Sequence, residues 1–293
     1  MTARLGMLVL GAMLVVAGCF NDNQPTPVPS PTPTPEPTAT TTVYDLGEVI
    51  WYEGLEIHVL SVTSTLDARG GPAQVQLRIE NPTDDDSQLD GTVSLVVGTL
   101  RTEPNRASKI PEVPAHGSAT VTLTFELLDI TSTDTAVLEF GAGPLHVARL
   151  PLTAAGGDTT TFEPVPLDVS GSATASNLKI ALKTGVLRWD LPDWSQELDA
   201  GLQALTLTYD VTYAGDFSGG FAFTGDNVAL RLPNGTVIGA RRDGHSQSVE
   251  LIGAKKTRKG LFTRFEIPAG LTGEYSLLVR NGSTEKAISF TID

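Results

Sequence analysis

From residue 44 onward, apolar side chains recur every second position, and this alternation restricts the folded part of the chain to antiparallel strands. Val75, Leu77 and Ile79 alternate with Gln74, Gln76, Arg78 and Glu80, and Val121, Leu123, Phe125 and Leu127 alternate with Thr122, Thr124 and Glu126. Leu205, Leu207, Tyr209, Val211 and Tyr213 repeat the pattern, as do Tyr275, Leu277 and Val279 and then Ile288, Phe290 and Ile292. Successive side chains of a strand point to opposite faces, so each run has one face for a core and one for water. No capped helical stripe competes with them. Asn234-Gly235 and Asn281-Gly282 fall between strand-like runs, where two-residue hairpin turns favour that dipeptide. The expected fold class is all-β.

Length and charge narrow the reading further. The chain has 293 residues, enough for two domains of ordinary size, and 40% of them are hydrophobic, which excludes global disorder. Lys and Arg number 20 against 34 Asp and Glu, a net charge of −14 that argues against nucleic acid as a partner. The acidity is uneven: residues 44–158 hold 17 acids and 6 bases, whereas residues 159–293 hold 15 acids and 13 bases. A single cysteine rules out an intrachain disulfide and a cysteine-based metal site.

The two halves can be laid over each other. Gly54–Ile57 matches Asn177–Ile180, Val75–Ile79 matches Leu205–Tyr209, Thr124–Leu127 matches Arg264–Ile267, and Val137–Phe140 matches the run around Leu277–Val279. Order is kept and spacing drifts only by loop-sized steps, the mark of an internal repeat. Each unit is sized for an immunoglobulin-like antiparallel β-sandwich, without the Cys-Trp-Cys pattern of antibody domains. Expected boundaries are 44–152 for the first sandwich, 153–161 for a small-residue hinge and 162–293 for the second, with the two folding as separate units. The proline-flanked stretch from Phe162 to Pro166 reads as the second unit's first edge strand.

The amino terminus sets the expected compartment. Residues 1–18 read as a signal peptide: Arg4, then an apolar run from Leu5 to Val16, too short for the ~20 residues of a spanning helix. The run ends in Val16-Ala17-Gly18-Cys19, which resembles the lipobox of bacterial lipoproteins. The resemblance implies cleavage before Cys19 and acylation of that residue, palmitate-type chains anchoring the protein to the outward face of the cell membrane. Acyl chains contribute ~0.8 kcal/mol per buried methylene, so two or three hold a protein stably. Residues 19–43 read as a tether, with seven prolines alternating from Pro25 to Pro37 before Thr40-Thr41-Thr42. Such a run favours an extended polyproline II rod. The whole layout resembles the poorly characterised immunoglobulin-like extracellular domains of bacterial lipoproteins.

Several constellations bear on chemistry. Asp84, Asp85, Asp86 and Asp90 form an acidic loop that offers oxygens for Ca²⁺, but it lacks EF-hand spacing and reads first as a solvated loop. Trp189, Asp190, Asp193 and Trp194 surround a proline turn; aromatic planes beside carboxylates suit sugar rings, and equally the tryptophans serve as core. Arg241 and Arg242, with Lys255, Lys256, Arg258 and Lys259, make two basic clusters. Paired as a hairpin through Val249–Ile252, they would form one positive region for anionic lipid or wall polymer; the alternative is edge-strand protection against aggregation. Gly215-Asp216-Phe217-Ser218-Gly219-Gly220 lacks the spacing of a serine-protease motif, and Gly244-His245-Ser246-Gln247-Ser248 lacks the last glycine of a nucleophile elbow. His58, His116, His146 and His245 show no spacing of a zinc site. The expectation is a non-enzymatic surface lipoprotein without cofactor or bound metal. It would act as a binding or presenting module, or as accessory to an envelope complex, with an envelope protein or wall polymer as partner. The alternatives are a carbohydrate-binding module using the Trp189/Trp194 loop and a spacer without ligand.

Overall fold

The computed structural model describes residues 38–194, 196–242 and 249–293; Cys19, the signal segment and the proline run lie outside them, as does His245. Eight strands form the first half: β1 (Thr40–Tyr52), β2 (Leu55–Leu66), β3 (Gly70–Glu80), β4 (Val93–Val97), β5 (Leu100–Thr102), β6 (Ser118–Leu128), β7 (Ala136–Phe140) and β8 (Ala148–Pro151). They make two antiparallel sheets, in the orders β1-β2-β3-β6 and β5-β4-β7-β8. Inward residues of both sheets meet in one core, where Ile57, Leu77 and Phe125 face Leu95, Leu138 and Phe140. Each such side chain is closed to water, and burying one stabilises by roughly 1.5–3 kcal/mol.

The second half repeats the plan with β9 (Gly171–Ala175), β10 (Leu178–Arg188), β11 (Leu202–Tyr213), β12 (Val228–Arg231), β13 (Val237–Gly239), β14 (Lys256–Pro268), β15 (Gly273–Asn281) and β16 (Thr284–Ile292). Its sheets run β9-β10-β11-β14 and β13-β12-β15-β16, so every strand has its counterpart eight numbers earlier. The four sequence matches fall on counterpart strands: β2 with β10, β3 with β11, β6 with β14 and β7 with β15. Strands two to eight of each half trace the A-B-E and C′-C-F-G sheets of immunoglobulin-like sandwiches, with one added strand beside A. Tyr275, near the start of the F-equivalent β15, donates its hydroxyl hydrogen to the carbonyl of Leu271, a tyrosine corner. The second core, centred on Leu207, Tyr209, Phe265 and Leu277, shares no residue with the first.

Three details differ from expectation. β1 begins at Thr40, so Thr40–Val43 belong to the sheet and not to the tether: Thr41 pairs with Thr65, their hydroxyls 3.1 Å apart. β-branched threonines suit a strand once a partner edge is present. Glu250–Ile252 does not form a hairpin joining the two basic clusters; it pairs with Phe221–Phe223. The 153–161 segment is fastened where a hinge was expected. Thr160 exchanges two 2.9 Å backbone hydrogen bonds with Arg149, and Thr161 Oγ1 accepts the N–H of Trp51 at 2.8 Å. The following edge strand, Val165–Leu167, pairs with Gly185–Leu187 of β10.

Candidate functional site

A group of buried ionisable side chains, Glu53, His146, Asp190 and Glu197, lies where the two halves meet. Glu53 and Gly54 join β1 to β2 with φ of +51° and +79°, the two positive values of a type I′ turn. Glycine is required at 54, because a Cβ there would stand 2.8 Å from Asp190 Oδ2 and 2.9 Å from Pro192 Cβ of the other half. The close approach carries Glu53 inward. Its Oε2 accepts the N–H groups of Asp90 at 2.9 Å and Gly91 at 3.1 Å, and its own N–H donates to Glu197 Oε2 at 3.1 Å. Glu197 belongs to a short hairpin between β10 and β11, in which Asp190–Leu191 pairs with Gln196–Glu197. Backbone bonds extend the seam: His146 N–H donates to Leu198 C=O, and Ala200 N–H to Pro144 C=O.

Charge is scarce in this seam. Arg188 donates to Asp190 through Nε and Nη2, at 2.8 and 2.9 Å, and among the described residues neither Glu53 nor Glu197 pairs with a Lys or Arg. Burial raises the Glu53 carboxyl from 4.5 to about 7, and the two backbone donors only partly offset it. Burial, reinforced by the charge of Asp190, raises Glu197 to about 9, so it keeps its proton at neutral pH. Burial also pushes His146 below its usual value. The 3.3 Å approach of His146 Nδ1 to Glu197 Oε1 is therefore a contact of two neutral groups, not an ion pair. The His146 ring packs on Phe162 (4.9 Å between centroids), which packs on Trp189 (5.9 Å). A cavity of about 300 Å³ opens beside Tyr52, Glu53 and Glu197. Carboxyls with strongly raised pKa often mark functional sites, but structural networks produce the same shifts. Here the Glu53 carboxyl is spent on backbone donors of its own half, and Glu197 accepts the Glu53 N–H across the seam, which fastens the halves together.

A larger groove, about 650 Å³, runs along the same junction. Trp51, Phe262, Val186 and Pro166 give it an apolar floor, while Asp84 and Asp193 stand among its polar lining.

Of the residues singled out from sequence, the fold brings Asp84, Asp85 and Asp193 together along the groove and separates the others. Trp189 packs on Phe162 at the junction, and Asp190 is buried against Arg188. Asp193 binds Arg264, itself only 5% exposed, at 2.7 Å, and Trp194 is half exposed. In the acidic loop Asp84 contacts His116 at 2.9 Å, Asp86 Oδ1 accepts Ala115 N–H, and Asp90 offers its N–H to Glu53; Asp85 lies along the groove. Those carboxylates do not converge on a cation site. Arg241 pairs with Glu266, Arg242 lies 4.0 Å from Asp226, Lys255 is 2.7 Å from Asp216, and Arg258 is 3.3 Å from Glu250. Lys256 and Lys259 are exposed. Arg241 N–H meets Arg264 C=O near the far end of β14, five to eight residues from Lys256–Lys259. At ~3.3 Å per residue this separates the clusters by roughly 15–25 Å. They form two partly neutralised patches, not one basic face.

Sequence reasoning weighed His146 only as a zinc ligand and passed over Glu53 and Glu197, which belong to no motif. It also missed a grouping in which strand register brings Glu56, His58 and Glu80 together.

No protein-family model matches the chain, and no curated protein matches it. Among solved structures it is matched to a transglutaminase of red sea bream at 15% identity, over 87% of this chain and 31% of that one, with a TM-score of 0.20. The chain spans less than a third of that structure's length, and a likeness of this size carries no argument about activity.

Proposed function

We propose that this protein is a lipid-anchored, outward-facing bacterial surface protein that works without catalysis, binding a partner in the groove between its two sandwiches. The observation carrying this reading is the junction groove itself, where an aromatic and proline-lined floor meets a few carboxylates. Ligand sites favour such concave, mostly apolar clefts between domains. The anchor part of the reading rests on the lipobox-like run ending at Cys19 and the proline tether that follows. A partner fitting the groove offers an apolar, extended segment with a basic group to meet Asp85, since Asp84 contacts His116 and Asp193 binds Arg264. An envelope protein fits this better than a sugar, since Trp189 packs on Phe162 and Asp190 is held by Arg188.

The test is cross-linking on intact cells followed by affinity capture of the wild type and of a Trp51→Ala/Phe262→Ala variant, with a glycan array alongside. The expected result is one cross-linked envelope protein, lost or reduced at least ~10-fold in the double variant and retained by Trp194→Ala. A partner captured equally by the groove variant, or glycan binding that depends on Trp194, overturns the groove reading.

A further inference from the structure

On the outer face of the first sheet, register assembles a donor set that the linear sequence keeps apart. Glu56 and His58 are two residues apart on β2 and so share a face, and Glu80 of β3 lies directly opposite Glu56. Their inward neighbours Ile57 and Ile79 are buried in the core, which fixes the three polar side chains outward. His58 Nε2 approaches Glu56 Oε1 to 3.1 Å and Glu80 Oε1 to 3.3 Å, and one ligand atom from each residue lies within 4.8 Å of the other two. The side chains are 24%, 30% and 33% exposed, sheltered but reachable by an ion.

We propose that Glu56, His58 and Glu80 bind a first-row divalent cation of the zinc class. Two features of the geometry carry this. First, His58 Nε2 is itself shut off from solvent and makes a hydrogen bond to neither carboxylate despite the short distances. A protonated imidazole paired with glutamate would aim N–H at one oxygen. A ligating nitrogen aims instead at a point between the oxygens: with metal–ligand bonds of about 2.0–2.2 Å, neighbouring ligand atoms at 90–110° lie roughly 2.9–3.5 Å apart. Both nitrogen–oxygen distances fall in that span. Second, Glu56 and Glu80 are directly opposed like charges, a pairing that destabilises a sheet unless a cation intervenes. Arg78 supplies one such charge, 2.7 Å from Glu80 Oε1, and with neutral His58 the group retains one net negative charge. One imidazole with two carboxylates suits zinc and its neighbours; Ca²⁺ and Mg²⁺ prefer oxygen alone. Three protein ligands leave a fourth position for water or for a donor from a partner. Trp51, directly opposite Glu56 on β1, also lines the groove, so the ion would sit at its border.

The experiment is calorimetric titration of the full chain with zinc chloride in excess Mg²⁺, in a Cys19→Ala background that removes the one thiol. His58 ring proton shifts are followed by NMR in the same samples. One equivalent of zinc is expected to bind and to shift the His58 signals. His58→Ala and Glu80→Gln should each weaken binding by at least the ~10–100-fold typical of metal-site lesions. Arg78→Ala should bind zinc at least as tightly as the parent, because its guanidinium competes for the Glu80 oxygen. Absence of saturable binding up to millimolar zinc, or binding that neither moves the His58 signals nor responds to the two ligand variants, overturns the proposal. A loss of binding in Arg78→Ala equal to that in His58→Ala also overturns it, as it would mark an ion-pair network.

Discussion

A carboxyl group shut away from water keeps its proton to higher pH than the same group in an unfolded chain, and Glu53 and Glu197 are both in that position. Below about pH 4.5 each is protonated whether the chain is folded or not. Between 4.5 and about 7 for Glu53, and between 4.5 and about 9 for Glu197, the folded chain holds a proton that the unfolded chain has released. The folded state then binds more protons, so stability falls as pH rises through this window and levels off above it. The melting temperature is therefore expected to be lower at pH 9 than at pH 5. Glu197→Gln, which keeps the shape and an oxygen for the Glu53 N–H, should raise the pH 9 value and flatten the profile. Circular dichroism melts across this range check it; an unchanged slope in the variant would show that Glu197 does not titrate as its burial requires. None of this was legible beforehand. Glu53 beside Gly54 has the composition of an exposed turn, and burial comes from a neighbour 144 residues away in sequence.

The strands, by contrast, were readable, because alternation is a local consequence of burying one face. The runs at 75–79, 121–127, 205–213 and 275–279 are strands of the two sandwiches, and both Asn-Gly pairs sit at hairpin turns with glycine at φ of +85° and +59°. What local pattern does not encode is which strand lies next to which. The pairing of Glu250–Ile252 with Phe221–Phe223, the separation of the basic clusters and the meeting of His58 with Glu80 all depend on register across loops. The β2–β3 turn shows how tightly register is held. Gly70, at φ +100°, passes so near β6 that a Cβ would stand 1.8 Å from the Leu127 carbonyl oxygen. Gly70→Ala should therefore destabilise the first half by more than the ~1 kcal/mol of an ordinary left-handed glycine, in the ~2–3 kcal/mol range of backbone strain and lost pairing. Urea unfolding measures it, and Gly98→Ala is the control: it has positive φ with open space around it and should cost less.

At the scale of the whole molecule, the repeated strand order gives two closed cores, and only the junction couples them. The expectation of independently folding halves came from the small residues at 153–161, but coupling runs through Glu53–Glu197, His146–Leu198, Pro144–Ala200 and the Phe162 ring, not through that segment alone. Two cores with no common residue unfold together only while their interface contributes enough free energy to make partial unfolding unfavourable. The two raised carboxyls make that contribution depend on pH, because ionising either one places an uncompensated charge in a buried seam. Scanning calorimetry of the chain should then show one sharp transition near pH 5, where both carboxyls are protonated. Near pH 9, with Glu53 ionised and Glu197 half ionised, the transition should broaden or split as the less stable half unfolds first. Glu197→Gln removes one of the two charges and should narrow the pH 9 transition toward its pH 5 form, Glu53 still being ionised, which separates loss of the junction from general alkaline weakening. Two transitions with the same spacing at both pH values would mean that the seam contributes little, and that the halves behave as neighbours on one chain.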